Sequence, residues 1–157
     1  MKINFLLQPN TICRIISLGA NPEVTKRLAQ MGILPGTEVT IVRVGPFGDP
    51  FEIAVTHGQN IALRREDVES LDCEVIALPL TGASPGPATY RVRELQGGMG
   101  FQLKMADRGL AVGAKLRVQE ASPYRFYLLP DGHFATIGHG EAKKLLLEII
   151  EERDDHA

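Results

Sequence analysis

The chain repeats itself. The segment from Arg14 through Leu18, Leu28 and Gly32 to Val39 lies without a gap on the segment from Arg91 through Leu95, Met105 and Gly109 to Leu116. The spacing is constant: 91 − 14, 109 − 32 and 113 − 36 all equal 77. A fixed offset of this kind is the mark of duplication, and it constrains the fold more than any single residue. The two copies keep their glycines and their apolar pattern but share no Cys, His, Asp or Glu. What was duplicated reads as a scaffold with a binding surface and not as a catalytic apparatus.

With 157 residues the chain fits one average domain or two small ones, and the repeat decides for two. The uncharged, Pro- and Gly-rich run from Ala77 to Ala88 reads as the boundary. The expected division is a first domain over 1–78, a linker over 79–87, a second domain over 88–153 and a polar tail over 154–157. Residues 1–78 carry 7 Lys/Arg and 9 Asp/Glu, and the remainder carries 10 of each. Neither half is a polycation, which argues against bulk attraction to nucleic acid or an anionic membrane. The short apolar patch at Phe5–Leu7 stops at Pro9, and no apolar run approaches the roughly 20 residues of a membrane span. A cytoplasmic protein with no direct membrane insertion is expected, with Cys13 and Cys73 as free buried thiols.

In the first copy Thr11–Leu18 is rich in β-branched residues and reads as a strand. Asn21-Pro22-Glu23 opens a helix: Asn caps, Pro fits the first helical position, and Glu suits the positive end. Val24, Leu28 and Met31 share a face, and Gly32 closes the helix in a left-handed cap. Pro35-Gly36 is a type II turn. Strands are expected at 37–44, 51–56, 61–64 and 71–78, with at most a helical turn at 65–70. Arg64, Arg65, Glu66 and Asp67 read as a solvated cluster. Leu28, Met31, Val39, Ile41, Ile53 and Leu63 form the expected core. The second copy follows the same order, with a strand at 90–95, a helix near 100–108 and a strand at 114–120. Its helix starts at Gly97-Gly98-Met99-Gly100 and is weakly capped. Beyond Pro123 the offset becomes 74, as with Gly58/Gly132 and Leu71/Leu145. Residues 141–152 favour helix by composition, whereas the repeat predicts a strand over 145–150.

The run Arg27-Leu28-Ala29-Gln30-Met31-Gly32-Ile33-Leu34-Pro35-Gly36-Thr37-Glu38-Val39 resembles the signature of the FeoA family, the ferrous iron transport protein A domain. Gly45-Pro46-Phe47-Gly48-Asp49-Pro50 and Ile61-Ala62-Leu63-Arg64 follow at the family's spacing, so the resemblance covers residues 5–78. The second copy looks like a diverged form, with Val112 where Pro35 stands and Gly138 where Arg64 stands. The resemblance implies a mainly β fold of two tandem SH3-like small β-barrels, each with a short inserted helix. It implies a non-enzymatic accessory protein of ferrous iron uptake, whose partner is a FeoB-type GTP-binding membrane transporter.

No P-loop, Gly-x-Ser-x-Gly, His-Glu-x-x-His or Cys-x-x-Cys occurs. The candidate partner-binding residues are Leu34, Pro46, Phe47, Gly48, Asp49, Pro50 and Arg64. The stiff loop presents an aromatic at little entropic cost, and Arg is favoured at interfaces. No cofactor is expected. The alternative reading is a metal-sensing module holding a divalent transition metal at His133 and His139, with Asp131 near. His57, Cys13 and Cys73 form a weaker cluster, set aside because apolar neighbours make both thiols core. A small-barrel adaptor for another partner, or self-association of the chain, are further readings. Nucleic acid is disfavoured, since a stacking platform needs more aromatics than 6% with no Trp.

Overall fold

The computed structural model describes residues 8–56, 58–121 and 123–150. The expected polar tail at 154–157 lies outside the described residues, as do the N-terminal patch at Phe5–Leu7 and His57. The chain divides into two compact units, 1–76 and 77–157.

The first unit runs β1 (Ile12–Ser17), α1 (Pro22–Gln30), β2 (Glu38–Val44), β3 (Phe51–Val55), β4 (Asn60–Leu63), α2 (Arg65–Ser70) and β5 (Asp72–Pro79), whose last residues belong to the second unit. Its sheet order is β4-β3-β2-β1-β5. The expected helix signals hold. The Asn21 side chain accepts the Glu23 N–H at 3.0 Å, and Pro22 is the first helical residue. Gly32 takes φ +86° just past Met31, a left-handed position that costs glycine nothing. Gly36 takes φ +91° and donates to the Ile15 carbonyl at 2.7 Å, tying the turn to β1. The core holds Cys13, Ile15, Leu28, Val39, Ile41, Phe51, Ile53, Leu63, Leu71 and Cys73. Met31 is only half-buried and packs against this core. Residues 65–70 make a six-residue helix, more than the single turn expected.

The second unit contains β6 (Thr89–Leu95), α3 (Met99–Asp107), β7 (Lys115–Glu120), β8 (Tyr124–Leu129), β9 (Phe134–Ile137), α4 (His139–Ala142) and β10 (Leu145–Ile150). Its order, β9-β8-β7-β6-β10, is that of the first unit. The duplicated hydrogen bonds recur: Gly113 donates to Val92 at 2.8 Å as Gly36 does to Ile15. Leu110 donates to Met105 at 2.8 Å as Ile33 does to Leu28 at 3.0 Å. A bulge falls between Ile41 and Arg43 in β2 and at the matching place, between Val118 and Glu120, in β7. Each bends its strand. At the bulge Arg43 stands opposite Glu52, and Glu120 stands opposite Arg125. Gly98 gives α3 no side-chain cap, as its sequence predicts.

Leu145–Ile150 is a strand, as the repeat requires against local propensity. It pairs with β6 on one side and, through Leu146–Glu148, with Ala77–Pro79 on the other. This corrects the expected linker over 79–87. Pro79 closes a strand, Leu80–Gly82 form a 3-10 turn, and Leu80 and Ala83 are buried in the second core. Composition marked the segment as flexible, but its two apolar side chains anchor it. The strand register also refines the offset: Tyr124, Phe126 and Leu128 stand where Phe51, Ile53 and Val55 stand (124 − 51 = 73). The offset of 74 begins only at β9.

Candidate docking surface

Between Val44 and Phe51 the first unit has six residues, whereas between Ala121 and Tyr124 the second has two. The extra four make the expected loop. Pro46–Gly48 form a 3-10 turn, with Asp49 N–H donating to the Pro46 carbonyl at 3.4 Å and Gly45 N–H to the Pro50 carbonyl at 2.8 Å. The Asp49–Pro50 peptide is cis. Gly45 is required by close approach: a Cβ there would meet the Asp49 carbonyl oxygen at 2.7 Å. Phe47 sits at φ +60°, ψ +20°, a left-handed position that costs a residue with a Cβ about 1–2 kcal/mol. Its ring is 96% exposed. The loop does not fold Phe47 back over the core; it holds the ring out.

Arg64 is exposed and joins this end of the unit, because Leu63 pairs with Phe51, the residue that ends the loop. Leu34 is exposed too, but it precedes β2 while the loop follows it, seven strand residues away. The structure thus brings Pro46, Phe47, Gly48, Asp49, Pro50 and Arg64 to one end and leaves Leu34 at the other.

Asp67 does not belong to a solvated cluster. It is 3% exposed, pairs with the Arg27 guanidinium, and accepts the Arg64 N–H at 3.2 Å. The hydrogen bond that Arg27 donates to the Asp67 carboxylate raises the Arg27 pKa further. The second unit repeats the arrangement: Lys104 stands at Arg27 plus 77 and Glu141 at Asp67 plus 74. Lys104 Nζ lies 3.1 Å and Arg108 Nη1 3.2 Å from the Glu141 carboxylate. The Lys104 hydrogen bond, then the Arg108 charge, hold Glu141 below its ordinary carboxylate pKa. The two offsets together carried this signal, but the sequence reading did not join them.

His133 lies in the turn before β9 and His139 opens α4 after it. Four strand residues, a rise of about 13 Å, lie between them. His139 faces Tyr124, with ring centroids 6.3 Å apart. Among the described residues no group of three or more His, Cys, Asp or Glu is placed to hold a metal ion. Cys13 and Cys73 are free and buried, and a hydrogen bond that the Cys13 thiol donates to the Cys73 sulfur, together with burial, pushes the Cys13 pKa up. Among the described residues no helix is long and apolar enough to cross a membrane.

The mainly β fold of the two units, with their short helices, is of the SH3-like class. The FeoA domain model matches residues 1–75. The solution structure of iron(II) transport protein A from Clostridium thermocellum is 32% identical, covers 100% of this chain and 93% of its own, and superposes with a TM-score of 0.53. This chain belongs to the FeoA family. It is also 32% identical over 69 residues to an Fe(2+) transport protein A/Fe(2+) transporter FeoB fusion protein of Porphyromonas gingivalis. That match takes in 44% of this chain and only 8% of the fusion's length.

Proposed function

We propose that this chain is an accessory protein of ferrous iron uptake that acts by contact with a FeoB-type iron transporter. The observation that carries the reading is the fusion in Porphyromonas gingivalis, where a segment similar to this chain's FeoA region is continuous with a FeoB transporter. Covalent linkage holds two modules at high effective concentration, which is useful only where they meet. The docking element is the loop Pro46–Pro50 with Arg64 beside it. Its two backbone hydrogen bonds and two prolines fix the loop before binding, so little entropy is lost when it docks. Covering the Phe47 ring contributes about 1.5–3 kcal/mol. The second unit, a diverged copy of the first in this reading, lacks the loop and serves as a second contact.

The test is calorimetric titration of the full chain into detergent-solubilised FeoB from the same cell, with and without a GTP analogue. Saturable binding is expected, and Phe47→Ala is expected to weaken it by about 30-fold, the loss of an aromatic hot spot. No heat in either nucleotide state refutes the partner. Binding unchanged by Phe47→Ala and Arg64→Ala refutes the surface.

A further inference from the structure

The second unit has a feature that the loop reading leaves unused. A depression of about 440 Å³ opens between the end of α3 and the β8–β9 turn. It is lined by Leu128, Leu129, Ala114 and Phe134, and among its polar residues Asp107 and Asp131 stand with Arg108 and His133. The cations nearby are committed. Arg108 pairs with Glu141, and Arg125 stacks on the Phe134 ring at 4.4 Å. Neither Asp107 nor Asp131 has an ion-pair partner among the described residues.

The helix α3, whose last residue Asp107 lines the depression, also carries exposed apolar side chains. Met99, Leu103 and Asp107 fall at i, i+4 and i+8, on one helical face. Met99 is 78% and Leu103 61% exposed. The matching positions of α1, at minus 77, are Pro22, Lys26 and Gln30, so the first unit has no such apolar stripe. Phe134, 47% exposed, stands where the first unit has Asn60. The second unit has thus gained apolar surface on the outside of its helix and at its turn, beside two uncompensated carboxylates.

We infer that the depression lined by Asp107, Leu128, Asp131 and Phe134 docks a peptide segment that carries an apolar side chain next to a lysine or arginine. The apolar side chain fills the depression against Leu128 and Phe134. The basic group sits between Asp107 and Asp131, where a second carboxylate would be repelled. Charge decides the occupant: an acidic or neutral segment leaves both carboxylates unpaired, and exposed pairs of this kind favour the cation by about two- to fivefold each.

The test presents the full chain to an array of short peptides in which Leu or Phe is flanked by Lys, Ser or Glu. Retention is expected in the order Lys, Ser, Glu, with the preference fading as salt is raised. Amide shifts on adding a Lys-flanked peptide are expected at 107–109 and 128–134. The doubly changed Asp107→Asn, Asp131→Asn chain should keep its folded spectrum and lose the Lys preference. Phe134→Ser should weaken every peptide alike. No retained peptide, a preference for Glu, shifts confined to other residues, or an unchanged preference in the double variant would each overturn the inference. The FeoB titration is independent of all of these outcomes.

Discussion

The two units are the same machine with different outer parts. Both keep the helix ended by a left-handed glycine, the turn tied back to the first strand, the bulge in the second strand, and an acid on the short helix gripping a base on the long one. They differ where nothing in the scaffold requires agreement. The first spends four extra residues to hold Phe47 in solvent, and the second carries Met99 and Leu103 on its helix instead. The two units agree in what closes the core and differ in what faces outward.

The largest test of that comparison lies in the core. Phe126 occupies the place of Ile53, and both are fully buried. Phe126→Ala should destabilise by about 3–5 kcal/mol and Ile53→Ala by about 2–4 kcal/mol, read from denaturant midpoints at constant m-value. If the two substitutions perturb amides in the same unit, the division into two cores fails.

The ion pairs come next. Asp67→Ala removes a buried carboxylate with two partners and should cost about 2 kcal/mol. Glu141→Ala removes a quarter-exposed one and should cost less than about 1 kcal/mol. Equal losses in urea titrations would mean that burial does not distinguish the two copies.

Phe47→Gly should raise stability slightly, by less than about 1 kcal/mol, while abolishing docking. Relief of the left-handed strain exceeds the extra freedom that glycine gives the unfolded chain. Thermal melts beside the transporter titration read both at once; a fall in stability would deny the strain at Phe47.

The smallest effect is with pH. Glu141 has a folded pKa depressed from its ordinary 4.5, so the stability it contributes is complete above that value and is lost as the pH falls through the lower folded one. A pH series on the wild type against Glu141→Gln should show the two curves a constant distance apart above about pH 4.5 and converging as the pH falls below it.

Much of this was legible in the chain. Pro22 and Pro35 fix their own φ, and Gly32 and Gly36 accept the positive φ that other residues avoid, so they named α1 and its exit without help from packing. The repeat was stronger than local propensity at Leu145–Ile150, because a strand flanked by partners on both sides is stabilised by tertiary pairing that no window of composition records. Leu80 and Ala83 were hidden by the reverse effect: prolines and glycines around them read as linker, and only the second core reveals them as anchors. Asp67 was misread because neighbouring charges suggest solvent, while its partner Arg27 lies 40 residues earlier. The exposed loop was found from stiffness and an aromatic; the groove of the second unit was missed because its parts lie on separate elements.

The charge pairs at the two bulges are mirror images in sign. Arg43 faces Glu52 in the first unit, and Glu120 faces Arg125 in the second, so the signs are reversed between copies. Neighbouring units of like topology on one chain are prone to misassembly during folding. Were β2 and β7 to change places, Glu120 would land against Glu52 and Arg43 against Arg125. Like charges directly opposite are destabilising. The native pairing therefore sets opposite charges against each other at both bulges, and the exchanged pairing would set like charges there.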